Sequence, residues 1–261
     1  MTDKIISRRE DGVGHVVFNN PEKRNAVSLE MWREVDSALS DFARDCAIRA
    51  VVVTGAGDKA FVSGADVSKF ETERASKDAV EKYNLATERA YTALHGFPKP
   101  TIARIRGACV GGGVNLAVCC DLRLCSEGAR FAIPAARLGI GYGHANMSRL
   151  VDAIGVSCAM EMLYTARTFD AEEALRMGLV NQLLRDEELD AGVDEYARRI
   201  AGNAPLTIAL AKAAVGELRK DPALRDIEKL ERMVEACSTS QDYVEGRRAF
   251  IEKREPRFTG A

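Results

Sequence analysis

The sequence has few aromatic residues, no excess of either charge and no long apolar run. Only 6% of its 261 residues are aromatic, and it contains a single tryptophan. Lysine and arginine total 37 against 39 acidic residues, so binding of nucleic acid through bulk positive charge is not expected. No segment approaches the roughly 18 apolar residues of a membrane span, and MTDKIISRRE at the start lacks the apolar stretch of a signal peptide. These absences predict a soluble, cytoplasmic protein.

Several common site motifs are also missing. The seven cysteines include no C-x-x-C pair, and Cys119 beside Cys120 in an apolar run indicates two buried thiols. There is no G-x-x-x-x-G-K-[ST] loop and no G-x-S-x-G elbow, which excludes P-loop and common hydrolase sites. The segment from Gly55 to Ala60 matches a relaxed dinucleotide fingerprint, but no amphipathic helix follows it directly. We therefore expect neither a metal nor a redox cofactor.

Short β-branched runs alternate with helical patterns through the first two thirds of the chain. Strands are predicted at 13–19, 50–54, 101–109 and 122–126. Ser28 can cap a helix with one apolar face, made of Met31, Trp32, Val35, Ala38, Leu39 and Phe42. Strands that alternate with helices in this way predict an α/β domain with mainly parallel strands.

The last third is predicted to be mainly helical. Asp170 and Glu173 have the spacing of a capping box, Gly178 can end that helix, and LVNQLL can supply one more strand. Only helical patterns follow, with apolar faces within 189–200, 208–218 and 224–234. These faces are free to close over the domain or to pack against a second subunit.

Two glycine-containing turns put backbone N–H groups where an anion can bind. Ser63 to Asp66 is a turn of small residues, and Gly111 to Gly113 opens a helix whose first amides have no internal partner. Such amides stabilise negative charge, although both segments can equally be structural turns. If the two turns face one another, they form a two-amide oxyanion hole suited to an enolate formed from a thioester carbonyl.

Four separated strings carry a resemblance to a known family. They are PEKRNAVS at 21–28, VVTGAGDKAFVSGADVSKF at 52–70, PKPTIARIRGACVGGGVNLAVCCDLRLCSEGARFAIP at 98–134 and TARTFDAEEALRMGLVNQLL at 165–184. In this order they resemble the crotonase superfamily, also called the enoyl-CoA hydratase/isomerase family, over essentially the whole chain. The resemblance implies an α/β spiral of ββα units with a C-terminal helical region that forms trimers, commonly paired as a dimer of trimers. We expect residues 1–195 to form the core with the acyl-CoA site, and 196–261 the helical region.

The same resemblance assigns site residues. It places the two oxyanion amides at Ala65 and Gly112. Contacts to coenzyme A are expected from Lys23, Arg24, Ala26, Ser63, Asp66 and Val67, and from Phe250 and Lys253 toward a neighbouring subunit's nucleotide. Lysine and arginine can pair with phosphates, and small residues let the backbone approach the adenine edge. An acyl-CoA thioester is the expected substrate, with no cofactor beyond its coenzyme A moiety.

The chain departs from the family at two catalytic positions. The resemblance implies that hydratases hold the added water with two glutamates, and here those positions are Asn115 and Ala135. An amide and a methyl group cannot act as general bases, so each missing carboxylate forfeits about 10²- to 10⁴-fold of acid–base catalysis. The name enoyl-CoA hydratase/isomerase is therefore used nominally here, and the reaction that the chain catalyses stays open.

Several groups are candidates to replace the glutamates. His144, in the segment LGIGYGHANMSRL, is suited to proton transfer near neutral pH, and Tyr142 can orient a substrate oxygen. A glutamate from the segment that covers the acyl pocket in relatives, Glu71, Glu73 or Glu88, is a further candidate. The open alternatives are double-bond isomerisation, acyl-CoA hydrolysis, carbon–carbon cleavage or ring closure, and a non-catalytic acyl-CoA-binding protein. RNA binding through Arg247, Arg248, Lys253 and Arg254 is a weaker alternative.

Overall fold

A computed structural model describes residues 3–73 and 75–261. These residues form the strands β1 (Ile5–Glu10), β2 (Val13–Phe18), β3 (Ala50–Gly55), β4 (Ala60–Val62), β5 (Thr101–Ile105), β6 (Ala108–Val110), β7 (Leu122–Ser126), β8 (Arg130–Ala132) and β9 (Gln182–Leu184). The helices are α1 (Leu29–Arg44), α2 (Phe70–Glu73), α3 (Lys77–His95), α4 (Gly112–Val118), α5 (Ala135–Leu138), α6 (His144–Thr165), α7 (Ala171–Arg176), α8 (Leu189–Gly202), α9 (Pro205–Leu218), α10 (Ile227–Thr239) and α11 (Gln241–Glu252).

From β3 onward, successive strands alternate between two sheets. The larger sheet has the order β1-β2-β3-β5-β7-β9, and its β1–β2 pair is antiparallel whereas the other pairs are parallel. The smaller sheet, β4-β6-β8, is parallel throughout. Each passage of the chain therefore lays one strand in each sheet and continues into a helix, which confirms the predicted α/β class with mainly parallel strands.

The prediction of a single strand at 101–109 is wrong, because the strand is interrupted at Gly107. Strand β5 belongs to the larger sheet and β6 to the smaller one. Gly107 has φ +66°, and a β-carbon there would lie 2.3 Å from the Lys59 carbonyl oxygen. Only glycine accommodates both the left-handed backbone and this close approach, so the residue marks the point where the chain changes sheets.

Helix α1 has the cap and the buried face that the sequence predicts. The Ser28 side chain accepts a hydrogen bond from Met31 N at 3.4 Å. The six predicted apolar side chains of α1 are all buried and belong to the main core, which also takes in residues of both sheets and of α3, α4 and α6. The Asp170–Glu173 capping box of α7 is confirmed as well.

A smaller core cluster covers the other face of the larger sheet. Val13, Val52, Ile102 and Leu124 pack there against Leu189, Val193 and Ala197 of α8. The predicted boundary between residues 195 and 196 therefore falls inside a continuous helix that packs on the sheet. The division into a core and a helical region stays a prediction.

Helices α9 to α11 keep much of their apolar surface uncovered. Exposed side chains include Phe250 at 86%, Ile251 at 77% and Leu218 at 66%. A cavity of about 760 Å³ opens between these helices and the terminal segment. Among the described residues, no helix is long and apolar enough to cross a membrane, and no group of three His, Cys, Asp or Glu side chains can hold a metal ion.

Four of the seven cysteines lie in the interior. Cys109, Cys119, Cys120 and Cys125 are each at most 3% exposed, and all seven thiols are free. Burial raises the pKa of the Cys119 and Cys125 thiols to about 12. The predicted pair of buried thiols at Cys119 and Cys120 is thus confirmed.

Candidate active site

The two glycine-containing turns lie side by side. The first follows β4 and the second follows β6, and these strands are parallel neighbours with Val62 opposite Cys109. Their carboxyl ends therefore meet at one edge of the smaller sheet. A β-carbon on Gly64 would lie 3.9 Å from the Gly112 nitrogen, and one on Gly112 would lie 3.8 Å from the Gly64 α-carbon.

Two main-chain N–H groups at this edge do not take part in its hydrogen bonds. Val27 N donates to Gly64 O at 2.8 Å, and Asp66 N donates to Val27 O at 3.0 Å. Between these bonded residues, the Ala65 N–H has no acceptor among the described residues, and neither has the Gly112 N–H. Both residues are partly exposed. The edge can therefore present two main-chain donors to one bound oxygen atom.

Asn115 lies one turn along α4 from Gly112 and is buried. Its side-chain oxygen accepts a hydrogen bond from the Tyr142 hydroxyl, and Tyr142 packs against the main core from the loop before α6. Burial raises the pKa of the Tyr142 phenol, so this group is a neutral hydrogen-bond donor at pH 7. Ala135 begins α5 and adds no titratable group.

The predicted proton donor His144 lies at the surface. It is the first residue of α6 and is exposed. The side chain in contact with Asn115 is instead Tyr142, two residues earlier. The other two histidines, His15 and His95, lie in β2 and at the end of α3.

The candidate glutamates of the covering segment have other partners. Glu73 accepts a hydrogen bond from Leu29 N at 3.0 Å and so caps α1. Glu88 forms an ion pair with Arg149 of α6. Glu71 is exposed. Arg149 in turn lies over the ring of Tyr91 in α3, with its guanidinium 5.9 Å from the ring centre.

Tyr91 of α3 is a site residue that the sequence analysis missed. Its hydroxyl donates to Gly112 O at 2.9 Å, and its side chain is buried. Nothing in the local sequence marks it, since its spacing fits the apolar face of α3 like that of its neighbours. The signal lies in the tertiary contact between α3 and α4.

The residues expected to bind coenzyme A form one connected surface beside the Gly64 turn. Lys23 Nζ lies 3.0 Å from Asp66 Oδ2 and 2.6 Å from Ser68 Oγ. Ser63 N donates to Arg24 O at 3.2 Å, so the two loops are joined through their main chains. Ala26 is buried under this surface, and Val67 is 68% exposed on it.

The positive charge of Lys23 on this surface is compensated by the Asp66 carboxylate. Burial on its own raises the pKa of the Asp66 carboxyl, but hydrogen bonds from Ser68 and Lys23 and the charge of Lys23 outweigh it and bring the pKa below its ordinary value. The carboxylate therefore stays ionised and holds the lysine at the edge of the surface. Arg24, with φ +51°, is exposed next to it.

Phe250 and Lys253 lie at the end of α11, away from these loops in sequence, and both are exposed. The structure describes one chain, so their contact with a neighbouring subunit stays a prediction. In the basic cluster considered for RNA, Arg254 forms ion pairs with Glu245 and Glu252, and Arg248 with Glu245. These carboxylates neutralise part of the cluster and weaken the case for RNA binding.

Comparison with known proteins gives a consistent result. The family model described as "Enoyl-CoA hydratase/isomerase" matches residues 8–261. A crotonyl-CoA hydratase of Syntrophomonas wolfei is 33% identical, over 98% of this chain and 98% of that protein. A peroxisomal Δ(3,5)-Δ(2,4)-dienoyl-CoA isomerase of Arabidopsis thaliana is 34% identical, over 98% and 96%.

The fold agrees with solved structures of the same kind. The crystal structure of an enoyl-CoA hydratase/carnithine racemase from Magnetospirillum magneticum has a TM-score of 0.93 and 34% identity, and the match covers 100% of this chain and 97% of that one. An enoyl-CoA hydratase from Bacillus anthracis has a TM-score of 0.93 and 30% identity, over 99% and 100%. The chain thus belongs to the enoyl-CoA hydratase/isomerase family, the crotonase superfamily that its motifs predict.

Proposed function

We propose that the protein binds an acyl-CoA thioester and stabilises the enolate of its acyl group with the N–H groups of Ala65 and Gly112. The observation that carries this proposal is the approach of the two turns, which leaves these two donors at one edge without acceptors in the described part of the chain. Two preorganised donors aimed at a developing oxyanion lower the barrier by several kcal/mol in a site with little water; removing one such donor typically costs about 10²- to 10³-fold in rate. Family membership supports the same reaction class.

Hydration of an enoyl-CoA is the nominal reaction, but Asn115 and Ala135 do not supply the bases that it needs. The relatives include both a hydratase and a dienoyl-CoA isomerase. Activation of water and removal of an α-proton both need a base, and neither the neutral Tyr142 hydroxyl nor the Asn115 amide is one, so these two side chains do not select between the reactions. Isomerisation, thioester hydrolysis, carbon–carbon cleavage or ring closure therefore stay as alternatives, as does binding without catalysis.

Two side chains compete for the role of proton donor. The chemistry of an imidazole favours His144, whereas Tyr142 is favoured by its hydrogen bond to Asn115. The variants Tyr142→Phe and His144→Gln each remove the transferable proton with little change of shape. We expect the tyrosine variant to slow exchange of the substrate α-proton by about 10²-fold or more and the histidine variant to change it by less than threefold. The reverse result would return the role to His144.

Coenzyme A is proposed to lie on the surface formed by Lys23, Arg24, Ala26, Ser63, Asp66 and Val67. Lys23 and Arg24 offer cations to the phosphates, and no cofactor beyond the coenzyme A moiety is proposed. The uncovered apolar side chains of α9 to α11 support assembly into a homotrimer or a dimer of trimers, with the ββα units forming the family's spiral. In such an assembly Phe250 and Lys253 would reach a neighbouring subunit's nucleotide.

The first experiment is incubation in deuterated water with saturated, 2-enoyl, 3-enoyl and 3-hydroxyacyl-CoA thioesters, followed by mass spectrometry. Addition of water with deuterium at the α-carbon would support a hydratase in which another group replaces the glutamates. Deuterium uptake or isomerisation without hydration would support enolate chemistry alone. Thioesters that bind and stay unchanged would favour the binding-protein alternative.

A matched pair of variants at Ala65 tests the oxyanion donor itself. Ala65→Pro removes the N–H, and Ala65→Gly keeps it while changing the same side chain. We expect the proline variant to lose at least 10²-fold in exchange rate and the glycine variant to stay within a few-fold of the wild type. Equal rates in the two variants would reject this residue as a donor.

A further inference from the structure

We propose that Tyr91 is a positioning residue for the thioester carbonyl, because its hydroxyl holds the Gly112 carbonyl and so fixes the backbone of the residue that presents its N–H to the site. This inference rests on the proposed function, in which that N–H binds the thioester oxygen. Tyr91 does not touch the substrate and acts through the main chain.

The contact is close and specific. The Tyr91 hydroxyl donates to Gly112 O at 2.9 Å, and a β-carbon on Gly112 would lie 3.0 Å from the same hydroxyl. Residue 112 is thus a glycine where the tyrosine leaves little room for a side chain. The hydroxyl contacts the donor-bearing residue itself rather than a neighbour of it.

Gly112 lies between two peptides that are held from different sides. The Gly111–Gly112 peptide, which carries the donor N–H, is held by α4 itself, because Gly111 O accepts from Val114 N at 3.1 Å and from Asn115 N at 3.3 Å. The Gly112–Gly113 peptide carries the carbonyl oxygen to which Tyr91 donates. Because glycine has the widest range of backbone conformations, holding this second peptide limits rotation about the Gly112 α-carbon that joins the two.

Tyr91 is itself held on two sides. The Trp32 ring packs edge-on against it with centroids 5.0 Å apart, and the Trp32 Nε1–H donates to the Tyr83 hydroxyl at 3.1 Å. The guanidinium of Arg149, which forms an ion pair with Glu88, lies over the Tyr91 ring at 5.9 Å from its centre. A buried side chain with these neighbours cannot follow a displaced peptide, so its hydroxyl is a fixed reference point. Burial also raises the pKa of the Tyr91 phenol, which keeps the hydroxyl protonated as a donor.

The test compares Tyr91→Phe, which removes the hydroxyl and keeps the ring, with Tyr196→Phe as the matched control in α8. The probe is butyryl-CoA carrying ¹³C at the carbonyl, observed by infrared difference spectroscopy, because an oxyanion hole lowers the carbonyl stretching frequency. In the wild type we expect a lowered frequency, and in Tyr91→Phe most of that shift lost. Exchange of the α-proton should slow about five- to tenfold, with the Kd for butyryl-CoA changed by less than twofold. The control should behave as the wild type.

The outcomes separate the two proposals. If the wild type binds the probe without any change of carbonyl frequency, the oxyanion hole is absent and the proposed function fails with it. If the wild type shows the shift and Tyr91→Phe retains it, with exchange within twofold, the role of Tyr91 is overturned while the oxyanion hole stands. A Kd that rises together with the rate loss would indicate general disruption of the binding site and would also count against a positioning role.

Gly112→Ala keeps the proposal testable if Tyr91→Phe folds poorly, and where both variants fold they complete a double-mutant cycle. Gly112→Ala alone places a methyl group 3.0 Å from the hydroxyl and should remove the carbonyl shift by pushing the two groups apart. In Tyr91→Phe the obstructing oxygen is gone, so the alanine should cost at least threefold less in exchange rate there than in the wild type. Strictly additive effects, or an unchanged carbonyl shift in Gly112→Ala, would contradict a direct contact between the two residues.

Discussion

Replacing Gly113 by alanine tests how closely α4 is seated on β4. A β-carbon at Gly113 would lie 2.0 Å from the carbonyl oxygen of Val62 and 3.0 Å from its carbonyl carbon. Real β-carbons essentially never come within 3.0 Å of such an atom, so the helix and the strand must separate by about 1 Å. The obstacle is backbone of a buried strand, which cannot rotate away as a side chain would.

The size of the effect follows from two opposing terms. Overpacking in a core costs about 1–3 kcal/mol and sometimes more, whereas alanine is about 1 kcal/mol better than glycine in a helix. Because the clash is with backbone, we take the upper part of that range and expect a net loss of about 2 kcal/mol. For a chain of this size that corresponds to a Tm lower by about 4–8 °C. A 1 Å displacement of α4 also moves the Gly112 N–H, which should slow α-proton exchange by about 10²-fold.

The matched control is Gly216→Ala in α9, where a β-carbon would meet nothing within 4 Å. The same substitution should there raise the free energy of unfolding by about 0.5–1 kcal/mol, through helix propensity alone. Thermal unfolding followed by circular dichroism and the deuterium-exchange assay measure both variants. A Gly113→Ala protein with Tm within 1 °C of the wild type and normal exchange would refute the reasoning.

Three further predictions concern thiols, acid and salt. Iodoacetamide at pH 8 should label exposed Cys46 first and leave the four buried thiols unmodified in the native protein, as peptide mass spectrometry would show; early labelling of Cys119 would contradict its burial. The ion pair with Arg254 and the hydrogen bond from Arg257 N lower the pKa of the Glu245 carboxyl to about 2, so their hold on the C-terminal segment should be complete above pH 4.5 and be lost as the pH falls through 2. Hydrogen exchange across that range measures this loss, and Glu245→Gln should show it already at pH 7. Lys23→Met should raise the Kd for coenzyme A about fivefold at low salt and less at high salt, as measured by calorimetry. A variant with the same Kd as the wild type at both salt concentrations would remove Lys23 from the phosphate site.

The elements that the sequence predicted well are those with local signals. Helix α1 has a cap at Ser28 and a periodic apolar face that ends at Phe42, and both signals are readable without knowledge of the fold. The triple glycine and the capping box at Asp170 are of the same kind. The resemblance to a family then supplied the order of the units and the positions where Asn115 and Ala135 stand, which no local pattern gives.

The elements that were missed depend on contacts between distant segments. Strand β1 has exposed side chains along most of its length and is fixed by its pairing with β2, so its residues carry no apolar alternation. The division of β5 from β6 depends on the approach of Gly107 to Lys59, 48 residues earlier. Tyr91 likewise has the pattern of a core residue, and its contact with Gly112 exists only because α3 lies against α4.

The proposed use of main-chain N–H groups as oxyanion donors at the edge of the smaller sheet has a consequence for how such a protein can change over evolutionary time. Every residue except proline carries a peptide N–H, so almost any substitution at positions 65 and 112 that the backbone tolerates leaves the donors in place. Side chains around them, such as those at 115, 135 and 142, can be exchanged one at a time without erasing the anion-stabilising feature. Under this proposal a lineage can lose one reaction and acquire another while it keeps the two N–H donors, because these belong to the backbone.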